Sequence, residues 1–125
     1  MSEGDSAEFV RILVRRRACS RIVGGYAMAH HGLPRATNDV DVLVATDERN
    51  RARVRAAAAH VDVTTKIDGV GSFDRAYARR SVGTFFGHRV GYLSLDDMLR
   101  TKRAANRPKD WGDAFLVAER ARRRR

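Results

Sequence analysis

Asp39 and Asp41 are the two residues of this 125-residue sequence best spaced to share a cation. They fall in NDVDVLVA, residues 38–45, where Val40, Val42 and Val44 alternate with Asp39, Asp41 and Leu43. That is the period of a half-buried strand, and it puts both carboxylates on one face. Like charges so close repel, and burial without a cation raises at least one pKa. A divalent ion resolves both problems, and ligands that are all oxygen suit Mg²⁺ or Mn²⁺, which keep some waters and bind a substrate's phosphates as well.

Upstream, Arg21 to Val23 is a short β-type run that ends on Gly24 and Gly25, followed by the helix formers of YAMAHH and then by Gly32 and Pro34. Strand, Gly-Gly turn and short helix is the expected order, with Pro34 preventing continuation. Backbone N–H groups at such a turn receive a phosphate with no side chain in the way. A triphosphate could then bridge the glycines and the metal, and the chemistry would be in-line attack at phosphorus with its developing charge neutralised. The plain alternatives are that Gly-Gly is only a turn and that the two aspartates are a solvated surface pair.

Other elements must position these groups. Ser6 to Arg17 carries Phe9, Val10, Ile12, Leu13 and Val14 at helical spacing. Thr46 is the expected N-cap of an Ala-rich helix running to His60. A second alternating run, VDVTTKID, sets Asp62, Thr64, Lys66 and Asp68 opposite Val61, Val63, Thr65 and Ile67. A loop at 69–72 leads to a short helix at 73–80 and then to a hairpin, Thr84–Phe86 and Arg89–Leu93, turning at Gly87 and His88. Ser94 with Asp97 is a capping-box pattern for a helix to Asn106. Pro108 opens the last helix, whose Trp111, Ala114, Phe115 and Ala118 form an apolar stripe expected to face the core. The fold class is α/β (α+β), one mixed sheet of four or five strands with helices packed on it.

The segment IVGGYAMAHHGLPRATNDVDVLVA resembles the signature of the polymerase-β-like nucleotidyltransferase superfamily: an apolar residue with Gly-Gly or Gly-Ser, a spacer, then Asp-apolar-Asp. RATNDVDV is similar to the RxTxDhD form of small bacterial members, and LDDMLRTKRAANRPKDWGD to their C-terminal helical pair, so the likeness spans residues 20–118. Many members carry Ser where Gly25 offers only backbone. The resemblance implies the nucleotidyltransferase fold and a third carboxylate on a neighbouring strand. Asp62 is the best match, with Asp68 second, and Asp62 would also activate the acceptor hydroxyl. It further implies that Asp39, Asp41 and Asp62 hold Mg²⁺ or Mn²⁺ while Gly24, Gly25, Arg35, Thr37 and Lys102 attend a nucleoside triphosphate, commonly ATP. The implied reaction moves a nucleoside monophosphate to a hydroxyl of a protein or tRNA, in the manner of toxin–antitoxin or defence systems. Arg35 and Thr37 serve equally as braces of the glycine loop, and Lys102 equally as a partner of the acidic residues near it. Arg107, Lys109, Asp110 and Asp113 read as a salt-bridged brace between the last two helices. His30 and His31, beside Gly32, read as capping or packing residues rather than a base.

Composition bounds these readings. No apolar run approaches the roughly 20 residues that span a bilayer, and MSEGDSAEF lacks the features of a secretory signal. The expectation is a cytoplasmic protein with no membrane partner. Cys19 is the sole cysteine, so it makes no internal disulfide and reads as a small core residue. A formal charge of +10 favours polyanions, although the closing RARRRR is expected to be a solvated tail, 119–125, after a domain of residues 1–118. Two rivals follow. One is a non-catalytic binding module of the same fold, antitoxin-like. The other is an RNA-binding protein, for which 7% aromatic residues offer little base stacking.

Overall fold

The computed structural model describes residues 3–33, 40–55, 63–64 and 73–124. Among them are six helices and five strands: α1 (Glu3–Arg15), β1 (Ser20–Val23), α2 (Gly24–His30), β2 (Asp41–Val44), α3 (Glu48–Arg55), β3 (Val63–Thr64), α4 (Phe73–Ala78), β4 (Ser81–Phe85), β5 (His88–Tyr92), α5 (Leu95–Ala105) and α6 (Pro108–Arg124). The strands form one mixed sheet in the order β3-β2-β1-β5-β4, as the α+β expectation requires. β1 pairs antiparallel with β2 and parallel with β5, β2 parallel with β3, and β4 antiparallel with β5.

β2 is buried on both sides rather than half-buried. Val42 and Leu43 point to opposite faces, yet both are buried, and only Asp41 at the strand's start is partly open. α1 covers one face: its Val10 and Leu13 line a cleft together with Ile22 and Val42. The same helix fixes the approach to β2, since the Val40 N–H donates to buried Ser6 Oγ at 3.2 Å. At the far end of the β1–β2 pair, buried Asn50 of α3 closes three bonds. Its Oδ1 accepts from Cys19 N at 2.7 Å, and its Nδ2 donates to the carbonyls of Cys19 and Ala45 at 3.2 and 2.8 Å. Asn50 also explains where α3 begins, because its own N–H donates to Asp47 Oδ1 at 3.0 Å. Asp47, not Thr46, is the cap.

The hairpin turns on Phe86 and Gly87, both at positive φ, and His88 belongs to the strand, opposite Phe85. Two central residues at φ > 0 match the twist of the flanking strands. Ser94 caps α5 as expected, accepting from Asp97 N at 3.1 Å. The Asp97 carboxylate does not close the box. Fully buried, it takes both Nε and Nη2 of Arg79, at 3.1 and 2.9 Å, and Nη1 of Arg100 at 2.6 Å, tying the end of α4 to α5.

The last helix departs most from expectation. Asp110, Asp113, Val117 and Ala121 face inward, whereas Trp111 is 59% exposed and Phe115 66%. The large residues of the expected apolar stripe are therefore outside, with Ala114 and Ala118 half-buried, because two buried carboxylates turn the neighbouring face toward α5. Nor is the chain after Glu119 a detached tail. α6 continues through Arg124, Ala121 is buried, and Arg120 Nε donates to the His31 carbonyl at 2.9 Å, while Arg122 stays exposed.

Leu13→Ala should therefore cost about 2–5 kcal/mol in urea denaturation, as large-to-small changes in a packed core do. Phe115→Ala should stay within about 0.5 kcal/mol of the parent. Equal losses at the two positions would mean that α6 is docked through the stripe after all.

Candidate functional site

β1 and β2 deliver two of the expected residues to one place. Their register sets Val23 opposite Asp41, so the residue after Val23 lies beside that carboxylate. Gly24 has φ +67°, and a Cβ added there would sit 2.7 Å from Asp41 Oδ2. The helix α2 begins at Gly24 itself, so the glycines are its first residues and not a separate turn before it. Gly24 combines both properties of glycine: it occupies left-handed backbone that lets strand pass directly into helix, and it leaves room for the carboxylate. Gly25 follows it inside the helix and is half-buried.

A cleft of about 110 Å³ opens against Gly24, walled by Val23, Met28, Leu93 and Met98, with Thr101 and Lys102 at its α5 side. Lys102 thus reaches the cleft that Gly24 borders, and it also pairs with the acidic residues. Its Nζ lies 3.1 Å from Asp113 Oδ2 and 3.7 Å from Asp110 Oδ1. Arg107 Nε donates to Asp110 Oδ2 at 2.6 Å, completing the brace between α5 and α6. Of that brace as expected, Arg107, Asp110 and Asp113 take part, with Lys102 as a further cation, and the Lys109 side chain lies outside the described part of the structure. The hydrogen bond from Arg107, aided by the charges of Arg107 and Lys102 and opposed by burial, holds the Asp110 carboxyl below its ordinary range.

Asp39, Arg35, Thr37 and Asp62 lie outside the described residues, as does Asp68. Val63, which follows Asp62 in the sequence, pairs with Val42, which follows Asp41. Among the described residues no three His, Cys, Asp or Glu side chains form a metal-binding group. Both histidines pack. His30 stacks on Tyr92, with centroids 4.0 Å apart and planes at 3°, and its Nε2 is 2.9 Å from Ser81 Oγ. Buried His31 donates from Nε2 to the Leu93 carbonyl at 2.8 Å, which carries α2 onto the chain leaving β5.

One group escaped the sequence reading: Arg21, on the central strand β1, is only 1% exposed. Its guanidinium lies 3.9 Å from the centroid of Tyr77 and 5.6 Å from that of Phe73, both on α4. The signal was an arginine inside an otherwise apolar β run, where a cation demands a reason.

No described helix is long and apolar enough to cross a membrane. The sequence matches no protein-family model and no curated protein.

Two outcomes check this geometry. Gly24→Ala should destabilise the fold by about 1–2 kcal/mol, the cost of a Cβ in left-handed backbone, while Gly112→Ala, at a helical glycine whose added Cβ meets nothing within 4 Å, should not. Asp110 stabilises the fold when ionised, fully so above its unfolded pKa of about 3.9. That contribution is lost as pH falls through the lower folded value. Asp110→Asn should therefore be less stable than the parent at pH 7, with the gap narrowing below about pH 3.9; a gap independent of pH would assign the loss to packing.

Proposed function

We propose that this chain is a metal-dependent nucleotidyltransferase of the polymerase-β-like fold, which moves a nucleoside monophosphate from a triphosphate to a hydroxyl acceptor. The observation that carries the reading is the meeting of Asp41 with Gly24 where β1 passes into α2. A carboxylate against exposed glycine backbone suits a small cation with oxygen ligands, and the open backbone beside it suits a phosphate. The mixed sheet with β1 and β2 at its centre is compatible with the proposed fold.

In this reading Asp39, Asp41 and Asp62 hold Mg²⁺ or Mn²⁺, which when bound neutralises charge on the phosphorus-bound oxygens. Gly24 and Gly25 receive the phosphates through backbone N–H groups, and Lys102 contributes a fixed positive charge at the cleft. Arg35 and Thr37 orient the nucleotide. Asp62 accepts the proton of the acceptor hydroxyl as its oxygen bonds to the α-phosphorus and the bond to the departing pyrophosphate breaks. The resemblance of RATNDVDV to small bacterial members supports a protein or tRNA as the acceptor, in a toxin–antitoxin or defence pair.

Calorimetry with each nucleoside triphosphate, with and without Mg²⁺, tests this. Metal-dependent binding is expected, weakened about tenfold or more, equivalent to about 1.4 kcal/mol, by Asp41→Asn and by Asp39→Ala. Binding that ignores the metal, or no binding at all, would leave a non-catalytic module of the same architecture as the better reading.

A further inference from the structure

A second cleft, of about 380 Å³, lies toward the opposite end of β1, between α1, α4 and the β4–β5 hairpin. Among the described residues that line it, four are arginines, Arg17, Arg21, Arg80 and Arg89, and none is acidic. Its floor is apolar, with Leu13, Ile22, Val42 and Val90.

Two of the arginines are held by one ring. Arg21 lies 3.9 Å and Arg80 4.2 Å from the Tyr77 centroid. Each is also anchored by a carbonyl: Arg21 Nη1 donates to Ser20 O at 2.6 Å, and Arg80 Nη1 to Tyr77 O at 3.0 Å. Gly91 leaves the space that the Arg21 guanidinium fills, since a Cβ there would overlap Nη1. Burial above all, and then the charge of Arg80, pushes the Arg21 pKa down to about 10, so it remains a cation at neutral pH. Arg80 is held in orientation over the ring, and with Arg17 and Arg89 it stands exposed at the cleft, so an anion entering there meets concentrated positive charge.

We propose that this cleft is an anion site for a phosphate ester, the exposed guanidiniums of Arg80 and Arg89 receiving the phosphate and the apolar floor the uncharged remainder of the ligand. Guanidiniums offer planar paired donors that match phosphate oxygens. The volume lies in the range of small-ligand pockets, adequate for a mononucleotide or the end of an RNA strand and too small for a duplex. Tyr77 is already occupied by cations, so the ring positions the guanidiniums and does not stack on a base. The site shares no residue with the Asp41 cleft and stands without the enzymatic reading.

The test is equilibrium binding to the full chain in EDTA, which removes any metal-dependent contribution, with three probes: inorganic phosphate, adenosine 5′-monophosphate and a short single-stranded RNA bearing a 5′-phosphate. The proposal expects all three to bind competitively. Arg80→Gln and Arg89→Gln should each weaken them several-fold, about 3- to 10-fold. Both residues are exposed, so the folded state should survive, which melting in phosphate-free buffer verifies. Arg122→Gln, on exposed α6, should leave affinity unchanged. The tightest probe identifies the source of the phosphate. Failure of phosphate to bind, or equal losses in Arg122→Gln and Arg80→Gln, overturns the site, the latter by assigning affinity to net charge alone. Loss of metal-dependent triphosphate binding in Asp41→Asn with phosphate binding intact would separate the two clefts.

Discussion

The antiparallel register of β1 and β2 is the constraint on which the rest of the molecule depends. With Val23 opposite Asp41, the chain leaving β1 must pass the carboxylate that opens β2. A slip by one residue would turn every side chain of a strand to the other face. Both faces of β2 are buried, so Val42 and Leu43 would each enter packing shaped for the other, and Asp41 would leave its place beside Gly24. The register is pinned at both ends. Ser6 holds Val40 at one, and Asn50 bridges Cys19 and Ala45 at the other. Removal of Asn50 would leave buried backbone groups without partners, each a penalty of about 1–3 kcal/mol.

The same economy governs the buried charges. Asp97 and Asp110 are each fully buried, and each is answered by two cations, Arg79 with Arg100 and Arg107 with Lys102. These pairs do more to fix geometry than to add stability, since desolvation offsets much of the Coulomb gain. They determine which face of α6 points inward and how the end of α4 meets α5. Arg21 counts a carbonyl and aromatic faces among its partners. A chain with 25 basic and 15 acidic residues cannot give every cation a carboxylate, and ring faces take up part of the excess.

Legibility in the sequence followed the range of the interactions. The capped α5, the hairpin and the presence of the strand β2 rest on residues a few positions apart, and each was readable, although the half-buried alternation expected of β2 was not what formed. The meeting of Gly24 with Asp41 was readable too, because the glycines and the strand carboxylate flank one short helix. Two things were not. In α6 the apolar residues 111, 114, 115 and 118 satisfy helical spacing as well as 113, 117 and 121 do. The choice between these faces was made by Lys102, on another helix. The cleft around Arg21 joins α1, β1, α4 and β5, with lining residues that run from Val10 to Gly91 in the chain, and no local pattern encodes such a meeting. Of the expected metal-site residues, Asp41 alone falls within the described part of the chain.

Lys102 links these observations. Its position at the cleft beside Gly24 follows from Asp110 and Asp113, which hold its ammonium from α6, and not from anything on β1 or β2. A lysine on a free surface samples many rotamers; one held by two buried carboxylates is fixed before any anion arrives, and the ordering cost has been met in folding. The paired carboxylates also moderate its charge, so an anion in the cleft meets an oriented but partly neutralised ammonium. The helical pair α5–α6, which contributes no glycine and no strand carboxylate, is thereby part of the cleft. A change at its buried acidic face would be felt there through the placement of one ammonium group.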